Sequence, residues 1–208
     1  APELAKAADA AALKTGVTIF FTCPFADIRL IKENTAHVIV TAQHMEALKP
    51  GRGMGHVLPE SLKEAGAGAV LLNHIENQLT LHALCQTRRR AKELGMLTII
   101  CADGAEESAA VAEFKPDILL CEPTDLIGTG VAAGDDYIHE AVDRIKKVAP
   151  DVLVMIASGI TTPEDCGNVI RQGADGTAST SGIVKAPDPG QRVMAMAEAI
   201  VEAKKALS

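Results

Sequence analysis

Three parts of the 208-residue chain place reactive residue types where a small-molecule reaction could use them. In LLNHIENQ (71–78) an apolar run ends at Asn73 and His74, and Glu76 follows two residues later. An imidazole at such a point can exchange a proton, or donate a hydrogen bond to oxygen that is gaining charge. In LLCEPTDLIGTG (119–130) a second apolar run delivers Glu122, a candidate base. Pro123 stiffens the exit from that run, while Gly128 and Gly130 allow the backbone to turn and approach a ligand closely. The third part is a pair of turns, IASGIT (156–161) and STSGIVKA (179–186), both containing Ser-Gly-Ile. Turns of small residues present backbone N–H groups without a bulky Cβ in the way, which is how many folds hold phosphate. Each feature alone has a plainer reading: a hydrogen-bonded loop histidine, a surface glutamate before a loop, an ordinary turn. Their order along the chain is what gives them weight.

The elements that must position these residues are legible as short apolar runs: 17–22, 37–42, 69–73, 97–101, 117–121, 152–157 and 176–180. Such runs read as strands buried on both faces. Between them, 81–95, 136–150 and 162–173 carry apolar residues at helical spacing, and the chain opens on another helical pattern, PELAKAADAAALKTG. Strict alternation without a Gly/Ser linker predicts right-handed βαβ units in one parallel sheet and one domain spanning 1–208. An open doubly wound sheet and a closed barrel both fit this alternation. GRGMG (51–55) only loosely resembles a dinucleotide-binding turn and sits in a long polar loop, so a nucleotide cofactor is not expected there. In barrel enzymes chemistry lies on the loops after the strands, where His74, Glu122 and both turns fall.

Composition narrows the function. The chain is 48% hydrophobic yet 2% aromatic, without Trp and with one Tyr, so its core is built from Ala, Val, Leu and Ile. A net charge of −7 and few rings for base stacking argue against nucleic-acid binding. No apolar run is long enough for a membrane span and no leader pattern opens the chain, so no membrane association is expected and a cytoplasmic protein is the default reading. The five cysteines lack C-x-x-C spacing and read as reduced core or strand-end thiols, with neither a disulfide framework nor a zinc site.

Taken together, GHVLPE (55–60), LLNHxEN, EPxxLIGTG and SGIVKA closely resemble triosephosphate isomerases, in particular the short archaeal-type branch, in family order over essentially the whole chain. The resemblance implies an α/β fold of the (β/α)8 TIM-barrel class and isomerisation of a triose phosphate without metal or organic cofactor. It implies Glu122 as the base that shuttles a proton through an enediolate, and His74 as the electrophile. A neutral imidazole opposite a glutamate base is the documented division of labour in this family. By the same resemblance residues 123–131 form a lid, and phosphate is held at Ile127 and Gly128, at Ser158 and Gly159, and at Thr180, Ser181 and Gly182. Asn73 and Glu76 support the site, and the chain assembles as a homo-tetramer or dimer. Family members begin with a strand bearing an Asn-x-Lys motif that has no match here, so a first strand and its lysine are expected upstream of Ala1. Ile75 stands where the family usually has Ser, and Gln78 where it has Arg, while Thr124 and Asp125 vary the entrance to the lid. These departures leave two alternatives: an isomerase of a related sugar phosphate, or a catalytically impaired phosphate-binding paralogue.

Overall fold

A computed structural model describes residues 2–126, 132–157 and 159–207. Seven parallel strands form one sheet in chain order: β1 (Phe20–Cys23), β2 (Ile39–Ala42), β3 (Ala69–Leu72), β4 (Leu97–Ala102), β5 (Ile118–Cys121), β6 (Leu153–Ile156) and β7 (Gly176–Thr177). The helices between and around them are α1 (Pro2–Thr15), α2 (Ile28–Glu33), α3 (Pro59–Ala65), α4 (Leu81–Glu93), α5 (Gly104–Ala112), α6 (Asp135–Val148), α7 (Pro163–Arg171), α8 (Ser181–Val184) and α9 (Pro189–Ala206). Every apolar run read as a strand overlaps one, with β1 and β4 each reaching one residue past the end of its run.

The ends of two runs behave differently. Val17 and Ile19 precede β1 and pack with Leu4, Ala8 and Val193 of α1 and α9. At β7 the run GTAST yields only two strand residues. There the hydroxyls of Thr177 and Ser179 donate to Ile156 O (2.8 Å) and Ile160 O (2.6 Å), beside the main-chain bond from Ala178 N to Ile156 O (3.3 Å), and the segment leads on toward α8.

Strand side chains alternate between two packing layers. Ile100, Leu119, Cys121, Val154 and Ile156 face the helices in the main cluster. Their neighbours Ile99, Cys101, Ile118 and Leu120 fill an inner cluster with Ala157. Phe20 from β1 and Ala178 just beyond β7 both join this inner cluster, so the sheet curls until its two edges look onto one interior. That is the strand arrangement and layered filling of a (β/α)8 barrel, not of an open doubly wound sheet.

Carboxylates fix the N-terminal ends of the strands. Asp9 accepts from the backbone N–H groups of Ala36, His37 and Val38, Asp117 from Thr98 N and Oγ1, and Asp175 from Val154 N. Burial pushes the Asp9 carboxyl up, but those backbone donors outweigh it and hold it below the usual range. The opposite, C-terminal ends are left to the polar loops. Among the described residues no helix is long and apolar enough to cross a membrane.

Candidate active site

β3 ends at Leu72, and Asn73 then adopts a left-handed backbone (φ +61°), a conformation in which Asn is the best tolerated residue after Gly. Its side chain bridges two elements: Nδ2 donates to Cys101 O of β4 (3.0 Å) and Oδ1 accepts from Leu79 N (2.9 Å). The loop 74–78 is therefore closed at both ends by one amide. His74 caps the 3-10 turn Ile75–Asn77, and its Nδ1 accepts from Glu76 N (3.3 Å). An Nδ1 that accepts from a backbone N–H carries no proton, so the ring is the neutral tautomer with its hydrogen on Nε2. The Glu76 carboxylate lies 3.6 Å from Nδ1 but is exposed to solvent, and the backbone donor fixes the ring.

The Nε2 edge faces Glu122. The distance from Nε2 to Glu122 Oε2 is 3.6 Å, with both side chains largely withdrawn from water. Glu122 follows β5 directly, and its N–H continues the ladder to Ala102 O of β4 (3.0 Å). Beside it lies a crevice lined by Asn73, Ile75, Gln78, Cys101, Asp103 and Thr124, among others. Two residues 48 positions apart in sequence thus meet across β4, at the ends of β3 and β5.

The two Ser-Gly-Ile turns also meet. Gly159 has φ +68° after β6, and Gly182 packs so tightly on the first turn that a Cβ there would lie 2.5 Å from Ile160 O and 2.6 Å from Thr161 Cα. Only glycine fits that approach. Asp165 fixes the first turn by accepting from Thr161 N (2.9 Å) and Thr162 N (2.7 Å), completing a capping box on α7. Burial pushes the Asp165 carboxyl up, and these donors outweigh it and hold it low. Arg192 of α9 donates to Thr161 O from the other side. Thr180 precedes α8, with Ser181 and Gly182 in its first turn, so all three stand at the same end of the sheet as Glu122. Ile127, Gly128, Ser158 and most of the expected lid lie outside the described residues.

A strand-borne glutamate facing a neutral imidazole, beside two interlocked small-residue turns, matches a known sequence pattern as well. The sequence model of triosephosphate isomerase covers residues 1–200. The chain belongs to that family. Similar relatives are the triosephosphate isomerases of Methanocaldococcus jannaschii, 36% identical over 88% of this chain and 85% of that protein, and of Metallosphaera sedula, 37% identical over 92% and 84%. That of Methanopyrus kandleri is 35% identical over 92% and 87%.

Against this triosephosphate isomerase background, Ile75 and Gln78 both line the crevice, placing apolar surface and an uncharged amide at positions where the resemblance leads one to expect Ser and Arg. Three further residues near the strand ends escaped the sequence reading. Asp103, at the end of β4, accepts from Thr124 N (3.0 Å) and so ties down the segment after Glu122. His44, two residues past β2, is half-buried, and desolvation pushes its imidazole down against the opposing pull of Glu46. Tyr137 on α6 has a hydroxyl shut off from solvent with no hydrogen-bond partner among the described residues; burial pushes the phenol far up, as do Cys121, Asp103 and Glu122. Asp103 carries a readable signal, a carboxylate two residues past the apolar run LTIIC. Tyr137 carries none, because only the packing of α6 brings it near.

The cysteines are free thiols, and burial pushes Cys121 and Cys166 up to about 12 and Cys23 to about 11, which keeps them protonated and unreactive.

Proposed function

We propose that the chain is a triose-phosphate isomerase that interconverts D-glyceraldehyde 3-phosphate and dihydroxyacetone phosphate. The observation that carries this is the 3.6 Å approach of His74 Nε2 to Glu122 Oε2, with Nδ1 already engaged by a backbone N–H. Glu122 removes a proton from the carbon beside the carbonyl and returns it to the neighbouring carbon. His74 donates its Nε2 hydrogen to the oxygens of the enediolate between those steps, a donor that costs no reorganisation because the tautomer is set beforehand. Gly159, Thr180, Ser181 and Gly182 supply the wall that holds the phosphate, joined by Ile127, Gly128 and Ser158. Asn73 holds the loop that carries the imidazole, and Glu76 supplies the N–H that sets its tautomer.

A second reading, isomerisation of a related sugar phosphate, is favoured by Ile75, whose side chain borders the crevice. The finer readings of cytoplasmic residence and of a dimer or tetramer draw support from the unpaired thiols and from Met54, which is wholly exposed on the glycine loop.

A coupled isomerase assay of the full-length protein with triose phosphates, repeated with a tetrulose phosphate, separates the two readings. In that assay Glu122→Asp withdraws the carboxylate by one methylene and lowers turnover by about 100-fold or more, while affinity for a phosphate-bearing inhibitor is kept. Comparable turnover in the variant would remove Glu122 from the role of base.

A further inference from the structure

The N-terminal ends of β4 and β5, opposite the mouth that holds Glu122, border an open cavity of about 250 Å³. Its charged lining is Arg88 and Lys92 from α4, Lys115 from the turn before β5, and Asp117. The single acid is committed, since one Asp117 oxygen accepts from both Thr98 N and Thr98 Oγ1 at 2.8 Å. The three cations have no carboxylate within ion-pair distance among the described residues. Some cations elsewhere do have carboxylate partners, as Lys14 has in Glu198, Lys146 in Asp175 and Arg144 in Glu140. What sets Arg88, Lys92 and Lys115 apart is that they gather around one hollow in a chain of net charge −7.

The hollow is also built. Arg88 donates from Nη2 to Lys115 O (2.7 Å), which anchors the guanidinium at the cavity it lines. Lys115 itself has a left-handed backbone (φ +49°), rare for a residue with a long side chain. Its N–H donates to Ala112 O (2.8 Å), so the turn is held from both sides. Lys63 adds a fourth cation nearby by donating to Gly95 O, a rim residue (3.2 Å). A fixed guanidinium with flanking ammonium groups matches the oxygens of a phosphate group.

We propose that this cavity is a second anion site that binds a small molecule carrying a phosphate group, either an inorganic phosphate species or a phosphate ester. Its volume admits a ligand of sugar-phosphate size, and the uncommitted oxygen of Asp117 offers an acceptor for a ligand hydroxyl.

Isotope-labelled protein titrated with sodium pyrophosphate at constant ionic strength tests it, read by amide chemical shifts. Saturable shifts are expected at Gly95, Met96 and Thr98 and at Lys115 and Asp117. The double variant Lys92→Gln/Lys115→Gln changes two exposed side chains and loses about tenfold or more in affinity there, as expected for two lost charge-assisted contacts, with shifts around Ser181 and Gly182 unaffected. Arg88→Lys, which keeps the charge but not the fork, weakens binding in the same direction. A parallel titration with glucose 6-phosphate distinguishes the sources: tighter binding than inorganic phosphate assigns the site to an ester, weaker binding to the free ion. No saturable change at the lower amides, an equal change on adding sodium chloride, or undiminished affinity in the double variant would overturn the proposal. None of these readouts depends on isomerase activity.

Discussion

Asn73 offers the sharpest test of how the site is held. Asn73→Ala deletes two hydrogen bonds, to Cys101 O and from Leu79 N, and leaves a residue with a Cβ at φ +61°. Each bond contributes about 0.5–1.5 kcal/mol, and a left-handed backbone costs an ordinary residue roughly 1–2 kcal/mol, part of which Asn already bears. The expected loss is about 2–4 kcal/mol, a large share of the roughly 5–15 kcal/mol that typical domains possess. Asn73→Gly removes the same bonds but not the backbone freedom, and so loses about 1 kcal/mol less. Urea unfolding followed by far-ultraviolet circular dichroism measures both. In the isomerase assay both variants lose turnover by about 100-fold, because His74 is the next residue and a displacement near 1 Å is worth that much. Two variants of equal stability would refute the backbone argument. Unchanged turnover in both would show that the loop holds His74 without the amide.

Other perturbations follow from the same geometry. Gly182→Ala drives a methyl into Ile160 O and Thr161 Cα, so KM for the triose phosphate rises about tenfold while the fold survives with a loss of about 1–3 kcal/mol; an unaltered KM would separate the turns from phosphate binding. Asp165 has its folded pKa held below the model-peptide value near 3.8, so its contribution is complete above that value and disappears as pH falls through the lower folded one. The stability gap between wild type and Asp165→Asn is therefore constant from neutral pH to about pH 5 and closes in stronger acid, a trend that denaturant curves at stepped pH reveal. Arg90 is nearly buried and joins Glu60, Glu93 and the carbonyl of Leu48. Arg90→Leu strands Glu60, whose other oxygen is already buried without a partner, and lowers the urea midpoint by the equivalent of about 3 kcal/mol.

How far the sequence carries depends on the range of the interaction involved. The seven strands were readable because parallel strands covered on both faces leave continuous apolar runs, as DILLC and VLVMIA do. α7 announces itself through Thr162, Pro163 and Asp165, all within four residues. His74 and Glu122 could be singled out by their places at the ends of apolar runs, but their 3.6 Å approach depends on the pairing of β3, β4 and β5. The barrel itself was undecided from periodicity alone, since curling depends on contacts such as Phe20 with the inner cluster. Arg90 with Glu60 and Gly182 with Ile160 are similarly hidden, being set by chain segments that meet only after folding. The left-handed Asn73 and Lys115 lie between these cases, for a turn is local but nothing in LLNHIE or EFKPD demands that conformation.

The placement of Tyr137 has a practical corollary. With no tryptophan in the chain and a single phenol, the strongest near-ultraviolet chromophore reports on one location, beside the charge of Glu122. Occupation of the mouth by an anionic ligand alters the electric field at that ring, so absorbance or circular dichroism near 280 nm can follow binding in unlabelled protein.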